Sequence, residues 1–317
     1  MSLVLAAKRV VDADGERPDA WVRIEGDTIA ETGTGVPPGE FVRADTLMPG
    51  YVDLHCHGGG GGAFTSADPD QIVRAAQTHL DHGTTTMHAS LVSADYDDLI
   101  AQIRALIPFV DDGTLRGIHL EGPWISPSYC GAHDPLTLRD PDPDEVARIL
   151  DAGEGRIRMV TLAPELPGAL EAIRLIVDRG AIAAIGHTAA DGDAARAAVD
   201  SGATVATHLF NAMPPLLHRD AGPVGVLLAD PRVTCEVIGD GVHLEPEVVA
   251  LALSASEGRG ALVTDAMSAA GAGSGDYRIG NLDVVVRDGV TLVTTVDLAH
   301  DLKTLVDALP SDLKELP

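Results

Sequence analysis

The chain has 317 residues, 45% of them hydrophobic, and a formal net charge of −26 from 22 Lys and Arg against 48 Asp and Glu. A chain of this length can form a barrel of about 250 residues together with a further small domain. The acidic balance argues against nonspecific nucleic-acid binding, which needs a basic face, and any anionic ligand would need a local positive site.

Cysteine content and apolar patterning predict a cytoplasmic protein. The cysteines, at positions 56, 130 and 235, form no disulfide framework, which suits a reducing compartment. The N-terminus has too short an apolar run before its first acidic turn to be a signal peptide. No uninterrupted apolar stretch reaches the length of about 18 residues that a membrane span requires. We therefore expect neither a membrane nor a nucleic acid as partner.

Residues 1–48 are predicted to form a small β domain of the sandwich type. Their short apolar runs are separated by turn sequences such as Asp14-Gly15 and Glu25-Gly26-Asp27. The predicted strands are Leu3–Leu5, Val10–Asp12, Ala20–Glu25 and Thr28–Glu31.

From residue 49 to the end, short apolar strands alternate with helical stretches. The predicted strands are 51–55, 83–88, 115–120, 157–162, 181–186, 203–208, 233–238 and 260–264. The predicted helices are 69–81, 95–109, 143–152, 168–179, 191–201 and 246–256, with a short one near 223–229 and another candidate at 297–308. This alternation predicts an α/β fold, a (β/α)₈ barrel of the TIM type. A doubly wound open sheet is the alternative, but neither of its glycine-rich nucleotide motifs is present.

Two histidines stand at the end of the first predicted barrel strand, in the sequence His55-Cys56-His57. Side chains of a strand alternate between its two faces, so both imidazoles point the same way and Cys56 points the other way. Two imidazoles on one face can bind one divalent metal ion.

Further candidate ligands follow other barrel strands, where the active site of such a barrel is found. They are Glu121 after the third strand, His187 after the fifth, His208 after the sixth, Asp240 and His243 after the seventh, and Asp265 after the eighth. Imidazoles and carboxylates bind Zn²⁺ or a similar metal, and a carboxylate can bridge two ions, the role expected for Glu121. Asp265 is expected to accept the proton of an activated water and pass it to the leaving group. The alternative for each residue is a buried polar group within the barrel's hydrogen bonds.

The chain resembles the amidohydrolase superfamily and, more narrowly, the N-acetylglucosamine-6-phosphate deacetylases. The resemblance covers residues 49 to 271 in the family's order. The matching segments are PGYVDLHCHGGGG, HLEGPWISP, GAHD, IGHT, THLFNAMPPLLHR, GDGVHL and LVTDAMSAAG. HLFNAMPPL and HLEGPWIS are specific to the narrower group, whereas the HxH pattern is shared by the whole superfamily.

The resemblance implies a role for each matched residue. Glu121, His187 and His208 match the metal site common to the family. His55 and His57 match a second metal position that only some members fill. One or two ions are therefore implied, with Zn²⁺ favoured and iron, cobalt and manganese left open.

The remaining matched positions belong to catalysis and substrate binding. Asp265 matches the catalytic acid/base. The implied substrate contacts are His133 near the acetamido group, Asn211 and Ala212 through their backbone to the sugar phosphate, His243, and Arg219, which reaches the phosphate of the neighbouring subunit. The last contact implies a homodimer. Cys130 lies where some members carry a cysteine that approaches the metal.

The chain departs from the family at its C-terminal end. The family usually runs longer, and its tail returns to complete the small β domain. Here Tyr277–Thr295 is expected to be part of that return, as a hairpin turning at Arg287-Asp288-Gly289, and no later strands follow.

Three functions are consistent with the sequence. The first is hydrolysis of the acetamide of N-acetylglucosamine 6-phosphate by a metal-activated water. The second keeps this chemistry but acts on another N-acyl amino sugar phosphate, such as N-acetylgalactosamine 6-phosphate. The third is a truncated, non-catalytic protein that binds a metal or a sugar phosphate.

Overall fold

A four-stranded sheet precedes a ring of eight parallel strands in the computed structural model, which describes residues 2–287 and 290–293. The chain divides into two compact units after Tyr51. Each unit is described by itself below.

The first unit is built on long strands with a small apolar core. Strand β1 is paired antiparallel with β2 and parallel with β4, and the order across the sheet is β3-β2-β1-β4. The strands are β1 (Ser2–Asp12), β2 (Gly15–Glu25), β3 (Thr28–Thr34) and β4 (Val42–Leu47). Val4, Ala6 and Trp21 pack together on one side of it. The β structure predicted here is confirmed. The predicted strands Leu3–Leu5 and Val10–Asp12 are parts of one strand, β1, and the predicted strand Ala20–Glu25 begins earlier, at Gly15. Strand β4 was not predicted.

The second unit contains the predicted barrel. Its strands are β5 (Tyr51–Asp53), β8 (Thr84–Leu91), β9 (Gly117–Glu121), β10 (Ile157–Leu162), β11 (Ile182–Ile185), β12 (Val205–Ala206), β13 (Thr234–Ile238) and β14 (Gly260–Val263). They form one sheet in chain order. A small hairpin of β6 (Gly58–Gly59) and β7 (Gly62–Ala63) follows the first of them. All eight predicted strands are confirmed within a few residues, and the doubly wound alternative is wrong.

Hydrogen bonds beyond the ends of β5 and β14 join the first strand to the last. The Asp265 N–H donates to the His55 carbonyl at 2.9 Å, and the His57 N–H donates to the Ala266 carbonyl at 2.7 Å. Cys56 and Ala266 form a parallel bridge. The residues that close the ring therefore lie beside, or are themselves, the candidate ligands.

Helices follow the barrel strands where the sequence predicts them. They are α1 (Pro69–Asp81), α2 (Tyr96–Asp111), α3 (Pro143–Ala152), α4 (Ala169–Asp178), α5 (Gly192–Asp200), α6 (Gly222–Ala229) and α7 (Pro246–Ala255). Asp68, Asp142 and Asp191 cap three of them by accepting backbone N–H groups of the first turn. Among the residues that the structure describes, no helix combines the length and the apolar character needed to cross a membrane.

A three-stranded antiparallel sheet comes after the last barrel strand. It consists of β15 (Gly275–Ile279), β16 (Leu282–Arg287) and β17 (Val290–Val293), in that order. The predicted hairpin is confirmed in the pairing of Arg287 with Val290, and β15 adds a strand that was not predicted. The remaining turn residues of that hairpin, 288–289, and the helix predicted at 297–308 lie outside the described residues.

The main core fills the layer between the barrel strands and the helices. Ile72 of α1, Ile103 of α2 and Ile173 of α4 are fully buried in it. A separate cluster of Met159, Ala184 and Val205 comes from three consecutive barrel strands. This layered packing is what holds the strand ends in place.

We expect Ile103→Ala to lower the free energy of unfolding by about 2–5 kcal/mol, because it leaves a cavity in this core. Chemical denaturation followed by far-UV circular dichroism measures the change. Leu136, which is 91% exposed, supplies the control, since Leu136→Ala should change stability by less than about 0.5 kcal/mol. Equal losses in the two variants would contradict the assignment of Ile103 to the core.

Candidate metal centre and active site

Imidazole and carboxylate side chains meet at the carboxyl-terminal mouth of the barrel, as the sequence predicted. All of them are buried except Asp265, which is partly exposed. They are His55, His57, Glu121, His133, His187, His208 and Asp265. Each comes from the end of a barrel strand or from the loop that follows it.

Strand alternation directs the HxH pair as expected. The Nε2 atoms of His55 and His57 lie 3.0 Å apart on the inner face. Cys56 points to the other face, where its Sγ lies 3.1 Å from Nε2 of His79. Cys56 and Cys235 are both fully buried core residues.

Glu121 stands at the centre of the cluster. Its Oε1 lies 2.9 Å from His208 Nε2 and 3.1 Å from His187 Nε2. Its Oε2 lies 3.1 Å from His57 Nε2 and 3.3 Å from His133 Nε2. The carboxylate thus faces both predicted metal positions, one with each oxygen.

Asp265 faces the HxH pair from the end of the eighth strand. Its Oδ1 lies 3.2 Å from His55 Nε2 and 3.3 Å from His57 Nε2. Its backbone has a φ of +46°, and His187 and His208 also have positive φ values, +47° and +27°. Non-glycine residues rarely adopt this region, and such strain concentrates at functional sites.

The groups behind three of the imidazoles determine which ring nitrogen carries the proton. Nδ1 of His57 donates to the Ser90 carbonyl at 3.1 Å, and Nδ1 of His187 donates to the Tyr129 carbonyl at 2.8 Å. Nδ1 of His55 donates to Oε2 of Glu236 at 3.1 Å. A carbonyl only accepts, so the neutral rings present Nε2 lone pairs to the centre.

These lone pairs provide a test of whether the site fits a metal ion. Nε2 atoms of His55 and His57 face each other at 3.0 Å, and those of His187 and His208 do the same at 3.0 Å. Carboxylate oxygens surround both pairs. Facing lone pairs repel unless a cation lies among them, and ligating histidines characteristically donate their other nitrogen to a carbonyl or carboxylate. The donor set fits a divalent metal.

The pKa values of the cluster show the same demand for positive charge. Burial lowers the pKa of His57, but its hydrogen bonds to Asp265 and Glu121 outweigh burial and raise the pKa to about 9. Burial raises the pKa of Glu121, but the charges of His55 and His187 outweigh it and hold that pKa well below its ordinary value. Without a metal ion, protons on the imidazoles compensate the carboxylates.

His133 is different from the other histidines of the cluster. Its Nδ1 accepts the Ser93 N–H at 3.1 Å, so its Nε2 carries the proton of the neutral ring. Burial is the main cause that lowers its pKa to about 4. Although His133 lies close to Glu121 and His187, its neutral ring therefore presents an N–H, and not a lone pair, to the centre.

A cavity of about 330 Å³ opens above the cluster. Asn211, Ala212 and His243 line it, as do His133 and Asp265. Asp240 also lines it and binds His243 through a hydrogen bond of 2.8 Å between Oδ2 and Nδ1. The structure thus brings together most of the residues that the sequence assigns to the substrate.

Three predicted site residues lie outside the lining of this cavity: His55, which is fully buried, Arg219 and Cys130. Arg219 is exposed, in the loop before α6. Cys130 is a half-buried free thiol whose backbone carbonyl accepts the His133 N–H at 3.1 Å. The next residue, Gly131, packs so closely that a Cβ there would lie 2.9 Å from His187 Cε1.

Sequence reasoning missed Glu236 and Ser93. Glu236 is fully buried on β13 and orients His55. The signal was a single charged residue inside the apolar strand Cys235-Glu236-Val237-Ile238. Ser93 offered no signal, because it acts through its backbone N–H as well as its hydroxyl.

Comparisons with known proteins point to one family. Residues 46–306 match the sequence model described as the amidohydrolase family. N-acetylgalactosamine-6-phosphate deacetylase of Escherichia coli O157:H7 is 33% identical over 100% of this chain and 85% of its own length. N-acetylglucosamine-6-phosphate deacetylase of Homo sapiens is 39% identical, and the match covers 77% of this chain and 63% of that protein.

Solved structures give the same result. N-acetyl-D-glucosamine-6-phosphate deacetylase of Mycobacterium smegmatis, a mutant in complex with N-acetyl-D-glucosamine-6-phosphate, is 44% identical with a TM-score of 0.89. The match covers 99% of this chain and 86% of that chain. The Thermotoga maritima N-acetylglucosamine-6-phosphate deacetylase is 31% identical with a TM-score of 0.80, over 92% and 78% of the two chains. The chain therefore belongs to the amidohydrolase family.

Proposed function

We propose that the protein hydrolyses the acetamide of N-acetylglucosamine 6-phosphate to glucosamine 6-phosphate and acetate. The observation that carries this proposal is the cluster at the barrel mouth, where imidazole lone pairs, two carboxylates and the donor His133 face one cavity. The named relatives and solved structures act on this substrate or its galactosamine counterpart. The names of these proteins indicate the substrate, and the geometry of the cluster indicates the type of reaction.

The residues of the cluster would hold one or two divalent ions. His187 and His208 with Glu121 form one position, and His55 and His57 with the same carboxylate form the other. These ligands suit Zn²⁺, and they can also bind iron, cobalt or manganese. When bound, such an ion supplies an activated water and polarises the acetamide carbonyl.

Asp265 and His133 handle the proton and the carbonyl. Burial raises the pKa of Asp265, but the charges of His55 and His57 outweigh it and lower the pKa, so Asp265 is ionised at neutral pH and can accept a proton. Asp265 then returns that proton to the departing amine. The Nε2–H of His133 donates to the carbonyl oxygen as negative charge develops there.

The opposite side of the cavity would bind the sugar phosphate. Asn211 and Ala212 contact it through their backbone, and His243 is held in place by Asp240. Arg219 would reach the phosphate of a second copy in a homodimer, supplying the local positive charge that a chain of net charge −26 needs. Leu216 and Leu217, 47% and 55% exposed, are apolar neighbours of Arg219 that suit a subunit contact.

The proposal also assigns a role to Cys130. The Cys130 thiol would gate or ligate the metal from the loop that also positions His133. Unchanged metal content and turnover in Cys130→Ser would remove this role.

All three cysteines are free, which supports a reducing, cytoplasmic location.

N-acetylgalactosamine 6-phosphate is the second candidate substrate. It is favoured by the relative that matches the whole of this chain. The two sugars differ only in the configuration of one hydroxyl, so relative kcat/KM values for the two phosphates, measured side by side, decide between them. A metal-loaded protein that binds either phosphate without releasing acetate would instead be the non-catalytic homologue.

Asp265→Asn should lower kcat for acetate release by about 10²–10⁴, the usual contribution of a general acid/base. Bound metal, measured by mass spectrometry, should stay at the wild-type level at the His187 and His208 position, because Asp265 does not contact those rings. A kcat close to wild type would contradict the assigned proton transfer.

Arg219→Ala should raise KM for N-acetylglucosamine 6-phosphate roughly tenfold or more, since a lost hydrogen bond to a charged group is worth about 1.5–3 kcal/mol. The slow hydrolysis of unphosphorylated N-acetylglucosamine should not change. Arg196→Ala is the matched control, because Arg196 is an exposed arginine on α5 that pairs with Asp193. An equal effect of Arg219→Ala on both substrates would exclude phosphate recognition by Arg219.

A further inference from the structure

Glu236 is a fully buried carboxylate that touches both halves of the metal centre. It lies on β13, and its Oε2 accepts the Nδ1–H of His55 at 3.1 Å. The same oxygen accepts the backbone N–H of His208 at 3.3 Å. Glu236 takes no part in the proposed proton transfer or substrate contacts.

The contact with His55 is unusual among the ligands. Nδ1 of His57 and Nδ1 of His187 donate to neutral peptide carbonyls. Within the described part of the chain, Nδ1 of His208 has no hydrogen-bond partner. Only His55 has a carboxylate behind its ring, and a carboxylate in that place makes the opposite nitrogen a stronger metal ligand.

The charge of Glu236 needs a positive partner close by. A buried carboxylate destabilises the fold unless its charge is compensated. Among the ion pairs of residues 2–287, Glu236 has no lysine or arginine partner and pairs with His55 alone. Its Oε1 is buried without a hydrogen-bond partner in the same region.

A count of charge at the mouth shows what would compensate it. Glu121 and Asp265 already contribute two negative charges beside His55, and Glu236 contributes a third. One divalent ion balances the first two. A second divalent ion at the His55 and His57 position would supply positive charge beside the ring that Glu236 contacts, in place of a proton on that ring.

We infer that Glu236 is a positioning residue for a second divalent cation, and that loading of the His55 and His57 position depends on its charge. The inference rests on the proposed function, since it takes the cluster to be a metal centre. The His187 and His208 position, whose rings have no carboxylate behind them, fills without it. The protein accordingly binds two ions, and Glu236 sets the affinity for one of them.

The test is zinc binding by the full chain, stripped of metal and titrated with Zn²⁺ alone against a chromophoric chelator. Wild type should bind two ions per chain by mass spectrometry. Glu236→Gln keeps the side-chain volume and can accept the same hydrogen bonds. It should nevertheless lower the affinity for one ion by about 10–100-fold and leave the affinity for the other unchanged. Glu236→Asp keeps the charge and should bind the second ion more tightly than Glu236→Gln.

Glu165→Gln is the matched control. Glu165 accepts the Thr188 hydroxyl at 2.5 Å and the Ala189 N–H at 2.6 Å, beside His187. Among the residues that the structure describes, it forms no hydrogen bond or ion pair with a histidine side chain. Both ions should bind to this variant with wild-type affinity. Melting temperatures of the metal-free variants check that each one is folded.

Three outcomes would overturn the inference: a single ion in wild type, equal weakening of both ions in Glu236→Gln, or tighter binding in Glu236→Gln than in Glu236→Asp. A single-ion wild type that still releases acetate would leave the proposed function intact. Two ions, one of them lost in Glu236→Gln, in a protein without deacetylase activity would support the inference and refute that function.

Discussion

The repulsion between lone pairs at the barrel mouth is the interaction on which the rest of the structure depends. His55 and His57 bring two Nε2 atoms to 3.0 Å, and His187 and His208 bring two more to the same distance. Glu121 adds negative charge to both pairs. A protein interior tolerates such a group only with compensating positive charge, which comes from a metal cation among its members or from protons on the imidazoles. The same demand that raises the pKa of His57 to about 9 makes the site a metal centre.

The same hydrogen bonds close the barrel and position residues of the metal centre. The hydrogen bonds that join the first strand to the last run from Asp265 to His55 and from His57 to Ala266. The backbone of the sheet, which is more rigid than a loop, thereby holds His55, His57 and Asp265. Asp265 and His187 adopt positive φ values at this edge, a local strain that the surrounding core offsets.

The sequence predicted those parts of the site that depend on local periodicity. Alternation along one strand placed His55 and His57 together, and the barrel pattern placed the other ligands at its mouth. Strand β4, Val42–Leu47, escaped prediction because its side chains are mostly exposed and its apolar–polar alternation, Val42-Arg43-Ala44-Asp45, is short. Glu236 escaped because its partner lies 181 residues away along the chain. The tautomer of His133 depends on a backbone N–H, which no residue type reveals.

Histidines within about 3 Å of one carboxylate take different roles because of what lies behind each ring. The Ser90 and Tyr129 carbonyls fix the proton of His57 and His187 on Nδ1 and leave a lone pair for a metal. The Ser93 N–H occupies Nδ1 of His133 and leaves a proton on Nε2. An N–H directed at a substrate carbonyl stabilises an oxyanion, whereas a lone pair there would repel it. The backbone of the barrel, by presenting a carbonyl or an N–H to these rings, therefore decides which histidines direct a lone pair at the centre and which one directs an N–H.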